Sequence, residues 1–150
     1  AWDIAGHAEL RRRCGVPLVL DESVFDLHDL RRVADAGAAD TVNIKLAKCG
    51  GLLAGLEIAL AARAAGLGVM VGSMMESELG VSAAAALAAT IAPAAVHDLD
   101  AAWWSIDPQA DPGTPYREGR FQLAATPGLS AAQARVLPNP PLRPTGDPSG

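Results

Sequence analysis

Lysine is nearly absent from this sequence: there are two, Lys45 and Lys48, against ten arginines. Basic residues run together only at "RRR", 11 to 13, and the formal net charge is −5. Three arginines in a helical pattern read as a solvated face, which excludes a nucleic-acid footprint. Cysteine is scarce too. Cys14 and Cys49 have no metal-ligand spacing, so they read as free thiols in a reducing compartment, a single disulfide between them being the alternative. Long strongly apolar runs are missing. The nearest is "LGVSAAAALAATIAPAAV", 79 to 96, which is mostly alanine, holds Ser82 and Thr90, and is broken by Pro93. A membrane helix wants more Leu, Ile and Phe, so this is a buried helix followed by a loop, and no membrane partner is expected. No secretory signal opens the sequence, and a cytoplasmic location is expected. There is no initial Met, and "AWDIAGHAELRRRCG" reads as a loop and a helix with no strand before it, so the chain is expected to start inside a larger unit.

Aromatic residues make up 4% of the chain, whereas half of it is apolar and alanine is abundant. This composition suits a helix-rich α/β protein and argues against disorder for most of the length. At 150 residues the chain can bury one core or form part of a larger domain.

Strand-like and helix-like segments alternate. "VPLVL" at 16–20 ends in "DES", and "DLHDLRRVADAG" follows with Leu27, Leu30, Val33 and Ala34 at helical spacing. "DTVNIKL" predicts a strand, "LLAGLEIALAARAAGLG" a helix, "VMVGSMM" a strand, "ELGVSAAAALAAT" a helix and "VHDLDA" a fourth short strand. Equivalent strand ends fall at about 21, 45, 73 and 98, the repeat that right-handed βα units of a parallel sheet need. A doubly wound sheet and a (β/α) barrel both satisfy this pattern. Beyond residue 102, "PYREGRFQLAATPGLS" reads as a hairpin turning at Glu118–Gly119, and the Pro-rich end, 138–150, reads as disordered.

The polar residues gather at the C-terminal strand ends: Asp21 and Glu22, Lys45, Ser73 and Glu76, then Asp98 and Asp100. In parallel α/β proteins that edge is where active sites are built. Alternation along "TVNIKL" puts Val42, Ile44 and Leu46 on one face and Asn43 and Lys45 on the other. Asp98 and Asp100 likewise share a face. A lysine at the mouth of a crowded site acts as a general base when desolvation or a neighbouring cation favours its neutral form. The alternative is a structural ion pair between Lys45 and Asp21. Asp21 reads as a divalent-metal ligand or as an ordinary turn aspartate. Asp98 and Asp100 read as partners for a cationic ligand group or as turn residues. Lys48, beyond the strand end, reads as solvated or loop-anchoring. His7, His28 and His97 share no face and receive no catalytic role.

"VLDES", "VNIKLAKCGGL", "VGSMMESELGVSAAAALAA" and "DLDA", in this order and spacing, resemble the enolase superfamily. The likeness is to its muconate-lactonizing branch, and most of all to the dipeptide epimerases. It runs from about residue 5 to about residue 130. The resemblance implies the second half of a (β/α)7β barrel over 1–102, with four parallel strands and intervening helices. It also implies a segment over 103–137 that returns to a capping domain. It implies Mg²⁺ as cofactor with Asp21 as one metal ligand, and Lys45 as the acid/base lysine beside the substrate α-carbon. Ser73 and Met75 would contact substrate, and Asp98 and Asp100 would hold a dipeptide's α-ammonium. The activity implied is abstraction of the proton α to a carboxylate, as in a dipeptide epimerase acting on a small-molecule substrate, in a homo-oligomer when full length. N-acylamino-acid racemase with o-succinylbenzoate synthase, and muconate cycloisomerase, are the other activities of the branch. A non-catalytic α/β binding module is the reading from outside it. A second lysine, usually in a K-x-K strand, and two further metal carboxylates have no counterpart in the sequence, so this part alone is expected to be inactive.

Overall fold

The computed structural model describes residues 2–93, 95–104 and 116–123. Asp3 starts helix α1 (Ile4–Arg13), its carboxylate accepting from the Gly6 amide at 2.8 Å. Strand β1 (Val19–Leu20) leads to α2 (Leu27–Asp35), which Asp26 caps by accepting from the Asp29 amide. An N-cap carboxylate satisfies a donor that the first helical turn leaves free. Strand β2 (Thr41–Lys45) runs straight into the single turn α3 (Leu46–Cys49) and then α4 (Leu52–Ala64). Strand β3 (Gly68–Gly72) precedes α5 (Glu78–Ile91), capped by Ser77. A 3₁₀ turn, Ala101–Trp104, and the hairpin β4 (Tyr116–Arg117) and β5 (Arg120–Phe121) complete the described chain.

The strands pair in parallel in the order β1-β2-β3, with Leu20 beside Val42 and Lys45 beside Gly72. Parallel neighbours put their side chains on the same side, so the register sorts the sheet into two faces. Val42, Ile44, Val69 and Val71 point to the helix-covered face and are buried. There they meet Leu30 and Val33 of α2, Ile58 of α4 and Val81 of α5 in one core. Small residues let these helices come close: a Cβ at Gly55 of α4 would lie 3.0 Å from Leu87 of α5. The scarcity of aromatics fits this packing, because alanines at 84, 85 and 88 need little room against the sheet.

Three strands are shorter than their apolar runs predict, and the first keeps only Val19–Leu20 of "VPLVL". The third ends at Gly72 instead of continuing to Met75. After Ser73 donates to the Asp98 carbonyl, the Glu76 side chain captures the Met74 amide and turns the chain out of the sheet. The predicted fourth strand is a single parallel bridge, Gly72 to Asp98. Its start is displaced by a side chain: His97 Nδ1 accepts from the Val71 amide at 3.1 Å. That donor would otherwise pair with main chain of the fourth strand. His97 Nε2 meets the Ala92 carbonyl, so the ring carries its proton on Nε2 and holds the loop to the sheet.

Arg11 departs from the expected solvated face, since it binds Asp40 and the Gly37 carbonyl. The Asp40 carboxylate also accepts from the Leu18 amide, joining α1, β1 and the entry to β2. The hairpin turns at Glu118 and Gly119, both with left-handed φ (50° and 73°), as the two-residue turn matching strand twist requires. Its Tyr116 hydroxyl donates to the Leu99 carbonyl. The Pro-rich end, 138–150, and the rest of the return segment lie outside the described residues.

Candidate functional site

The C-terminal edge of the sheet holds a cluster built on one carboxylate. Asp21 follows β1, and its Oδ2 lies 2.7 Å from Lys45 Nζ at the end of β2. Its Oδ1 lies 2.6 Å from Lys48 Nζ. Asn43 Nδ2 donates to Oδ2 at 3.2 Å. The Lys45 side chain is 9% exposed and that of Asp21 35%. Burial alone would push the Asp21 carboxyl pKa up. The hydrogen bonds and charges of Lys45 and Lys48 outweigh it and hold the carboxyl below its ordinary range. Such a group adds stability above its unfolded pKa, and that contribution is lost as pH falls through the lower folded value.

Of the two readings open for Lys48, the solvated one is excluded, since only 4% of its side chain is exposed, and the anchoring one holds. Lys48 also donates to the main-chain carbonyls of Asp21 and Asn43. The single turn α3 brings it there. Three residues after Lys45, a helical turn carries the side chain back over the strand ends. Gly50 and Gly51, at φ 90° and 112°, stop the turn where a side chain would be strained. The spacing K-x-x-K-x-G-G was the available signal. So was the rarity of lysine, which applies to Lys48 as much as to Lys45.

Lys45, Gly72 and Asp98 form one row across the sheet. They therefore face the same side, with the Cα atoms of Lys45 and Asp98 about 10 Å apart, two inter-strand spacings. Glycine in the middle keeps the row open: a Cβ at Gly72 would lie 2.6 Å from Asn43 Nδ2 and 3.0 Å from Lys45 Cε. Gly72→Ala is expected to cost about 1–3 kcal/mol through this crowding. A urea midpoint unchanged from wild type would mean that Asn43 and Lys45 move aside freely.

The other expected site residues are less gathered. Ser73 is buried and its hydroxyl donates to the Asp98 carbonyl at 3.2 Å, so it ties the last strand to β3. Asp98 and Asp100 are exposed. Asp100 lies near the Tyr116 hydroxyl, whose pKa is raised by burial first and by that carboxylate second. Met75 is 82% exposed, on the loop past the end of β3. Asn43, given no role from sequence, is buried with its Oδ1 unpartnered. A groove of about 600 Å³ opens at the opposite end of the sheet, lined by Val19, Thr41, Met70 and Val96 among others. It is far from this cluster and mostly apolar.

Asp21 offers the hard oxygen that Mg²⁺ prefers. Yet both its oxygens are held by ammonium groups. Among the described residues no three His, Cys, Asp or Glu converge on a metal position. The described residues thus hold no complete metal site, and Asp21 is the ligand the resemblance assigns among them. No helix among these residues is long and apolar enough to cross a membrane.

The family model described as "Enolase C-terminal domain-like" matches residues 1–134. The chain is 45% identical over 112 residues to an L-amino acid-D/L-Glu epimerase of Francisella philomiragia, covering 73% of this chain and 31% of that protein. Among solved structures, N-succinyl Arg/Lys racemase from Bacillus cereus superposes with a TM-score of 0.66 at 35% identity, over 69% of this chain and 28% of that one. A substrate-liganded L-Ala-D/L-Glu epimerase from Bacillus subtilis gives 0.64 at 39% identity, over 67% and 28%. The chain therefore spans about a third of the length of the curated relatives it matches. Its parallel sheet and helices correspond to part of the barrel domain in these proteins.

Proposed function

The chain belongs to the enolase C-terminal domain-like family, and from that premise we propose that it is the second half of the barrel of a longer racemase or epimerase. In this reading the protein inverts the α-carbon next to a carboxylate, and the substrate is a dipeptide of the L-Ala-L-Glu kind. The observation that carries it is the Lys45–Asp21 pair at the C-terminal sheet edge, with Lys45 in one row with Gly72 and Asp98.

Each residue has a physical task. Lys45 removes or returns the α-proton on its side of the substrate, as a positioned acid or base. Asp21 orients Lys45 and serves as one ligand of a Mg²⁺ site whose other ligands come from the rest of the protein. When bound, the metal stabilises negative charge that develops on the substrate carboxylate. Asp98 and Asp100 pair with the α-ammonium of the dipeptide, and Ser73 and Met75 line the substrate. A second base, from outside this sequence, serves the opposite face. The full-length protein is a homo-oligomer.

The match to an N-succinyl Arg/Lys racemase supports an N-acylated substrate as the second reading. Asp98, at the bridge to β3, and Asp100 two residues later favour the free amine, because an acylated nitrogen carries no charge to pair with them. The test uses the full-length protein with Mg²⁺ in D₂O. Deuterium is expected at the glutamate α-carbon of L-Ala-L-Glu, followed by proton NMR, with slower exchange for N-acetyl-L-Ala-L-Glu. No α-exchange on either would sink the racemase reading, and preference for the acetylated form would favour the second.

A further inference from the structure

Lys48 is a buried cation to which the reaction above gives no task. Its Nζ lies 2.6 Å from Asp21 Oδ1, 2.5 Å from the Asp21 carbonyl and 3.3 Å from the Asn43 carbonyl. Three acceptors meet the three N–H groups of one ammonium, which leaves it nothing to offer a substrate. The Phe25 ring, itself stacked on Trp2, sits 5.6 Å from the same nitrogen and closes that side. Lys45 differs: it makes one ion pair, to Asp21 Oδ2.

The two lysines thus divide one carboxylate. With Oδ1 held by Lys48, the Asp21 carboxylate cannot turn, and the direction of Oδ2 is set. Oδ2 in turn sets where Lys45 Nζ rests. The two carbonyls that Lys48 also grips belong to Asp21, just past the end of β1, and to Asn43, inside β2, so the same ammonium ties together the elements carrying Asp21 and Lys45.

We propose that Lys48 is a positioning residue for Lys45, acting through the Asp21 carboxylate. This rests on Lys45 being the acid/base group proposed above. A misplacement of about 1 Å in a reacting group can cost roughly a hundredfold in rate.

The experiment compares wild type with Lys48→Met in the full-length protein. It measures α-proton exchange from both stereoisomers of the dipeptide and the crystal structure of each form. The expected result is a kcat lowered about a hundredfold for the isomer that Lys45 serves, with KM little changed and a much smaller loss for the other isomer. The Lys45–Asp21 distance should lengthen from 2.7 Å. Equal losses from both isomers, or an unmoved Lys45–Asp21 pair, would overturn the proposal. Should Lys48→Met not fold, Lys48→Gln carries the same comparison, since its amide still donates to one of the carbonyls. Should wild type exchange neither isomer, the racemase reading falls, and the Lys45–Asp21 geometry in the variant alone decides whether Lys48 positions Lys45.

Discussion

In the full-length protein, Lys45→Ala is expected to abolish exchange of the α-proton that faces Lys45 while exchange from the opposite stereoisomer survives. General acid–base groups contribute typically 10²–10⁴-fold, so a loss of roughly that size is expected for the one isomer. The asymmetry is the informative part. A lysine on one face of the substrate reaches one hydrogen only, and the base for the other face lies elsewhere. Lost stability cannot mimic the result. Asp21 retains Lys48 and Asn43 as partners, and it is partly solvated. The cost to folding should therefore fall well below the roughly 3–5 kcal/mol of breaking an isolated buried pair. Deuterium incorporation into each isomer, beside thermal melting of both proteins, makes the measurement. Wild-type exchange from both isomers would leave Lys45 a structural partner of Asp21.

Asp98→Asn combined with Asp100→Asn should lower kcat/KM for L-Ala-L-Glu by a hundredfold or more and leave its N-acetyl form much less affected. A hydrogen bond to a charged group is worth about 1.5–3 kcal/mol, and about 1.4 kcal/mol is a factor of ten. Two such contacts to one ammonium reach the predicted size even if only part of each is realised in the transition state. The row Lys45–Gly72–Asp98 supports the geometry, since it faces Asp98 to the same side as the proposed base with no side chain between them. Steady-state kinetics on both substrates and both proteins is the check. Equal losses would make the pair structural and would withdraw the main support for a dipeptide over an N-acylated amino acid.

Much of this arrangement is legible in the sequence, because two periodicities carry it. Alternation along "TVNIKL" correctly separates Val42 and Ile44, which meet the helices, from Asn43 and Lys45, which meet Asp21. The spacing of strand ends anticipates the parallel sheet. The ion pair between Asp21 and Lys45, one of two readings open from sequence, is present. The motifs that resemble the enolase superfamily agree with the family match over residues 1–134.

What the sequence by itself determined is the local and periodic part: which segments extend, which coil, and which face of each carries polar groups. These follow from side-chain volume, backbone preference and a repeat of two or 3.6 residues, all of which act between near neighbours. The tertiary structure alone decided three things. It buried Lys48, because only the register of β1 on β2 brings Asp21 within reach of a residue 27 positions later. It reduced the last strand to one bridge, because the His97 ring competes with main chain for the Val71 amide. It made Gly72 a gap, because Asn43 and Lys45 lean over it from the adjacent strand. In each case the deciding contact joins atoms that are distant along the chain, and its energy depends on distances that no local pattern encodes.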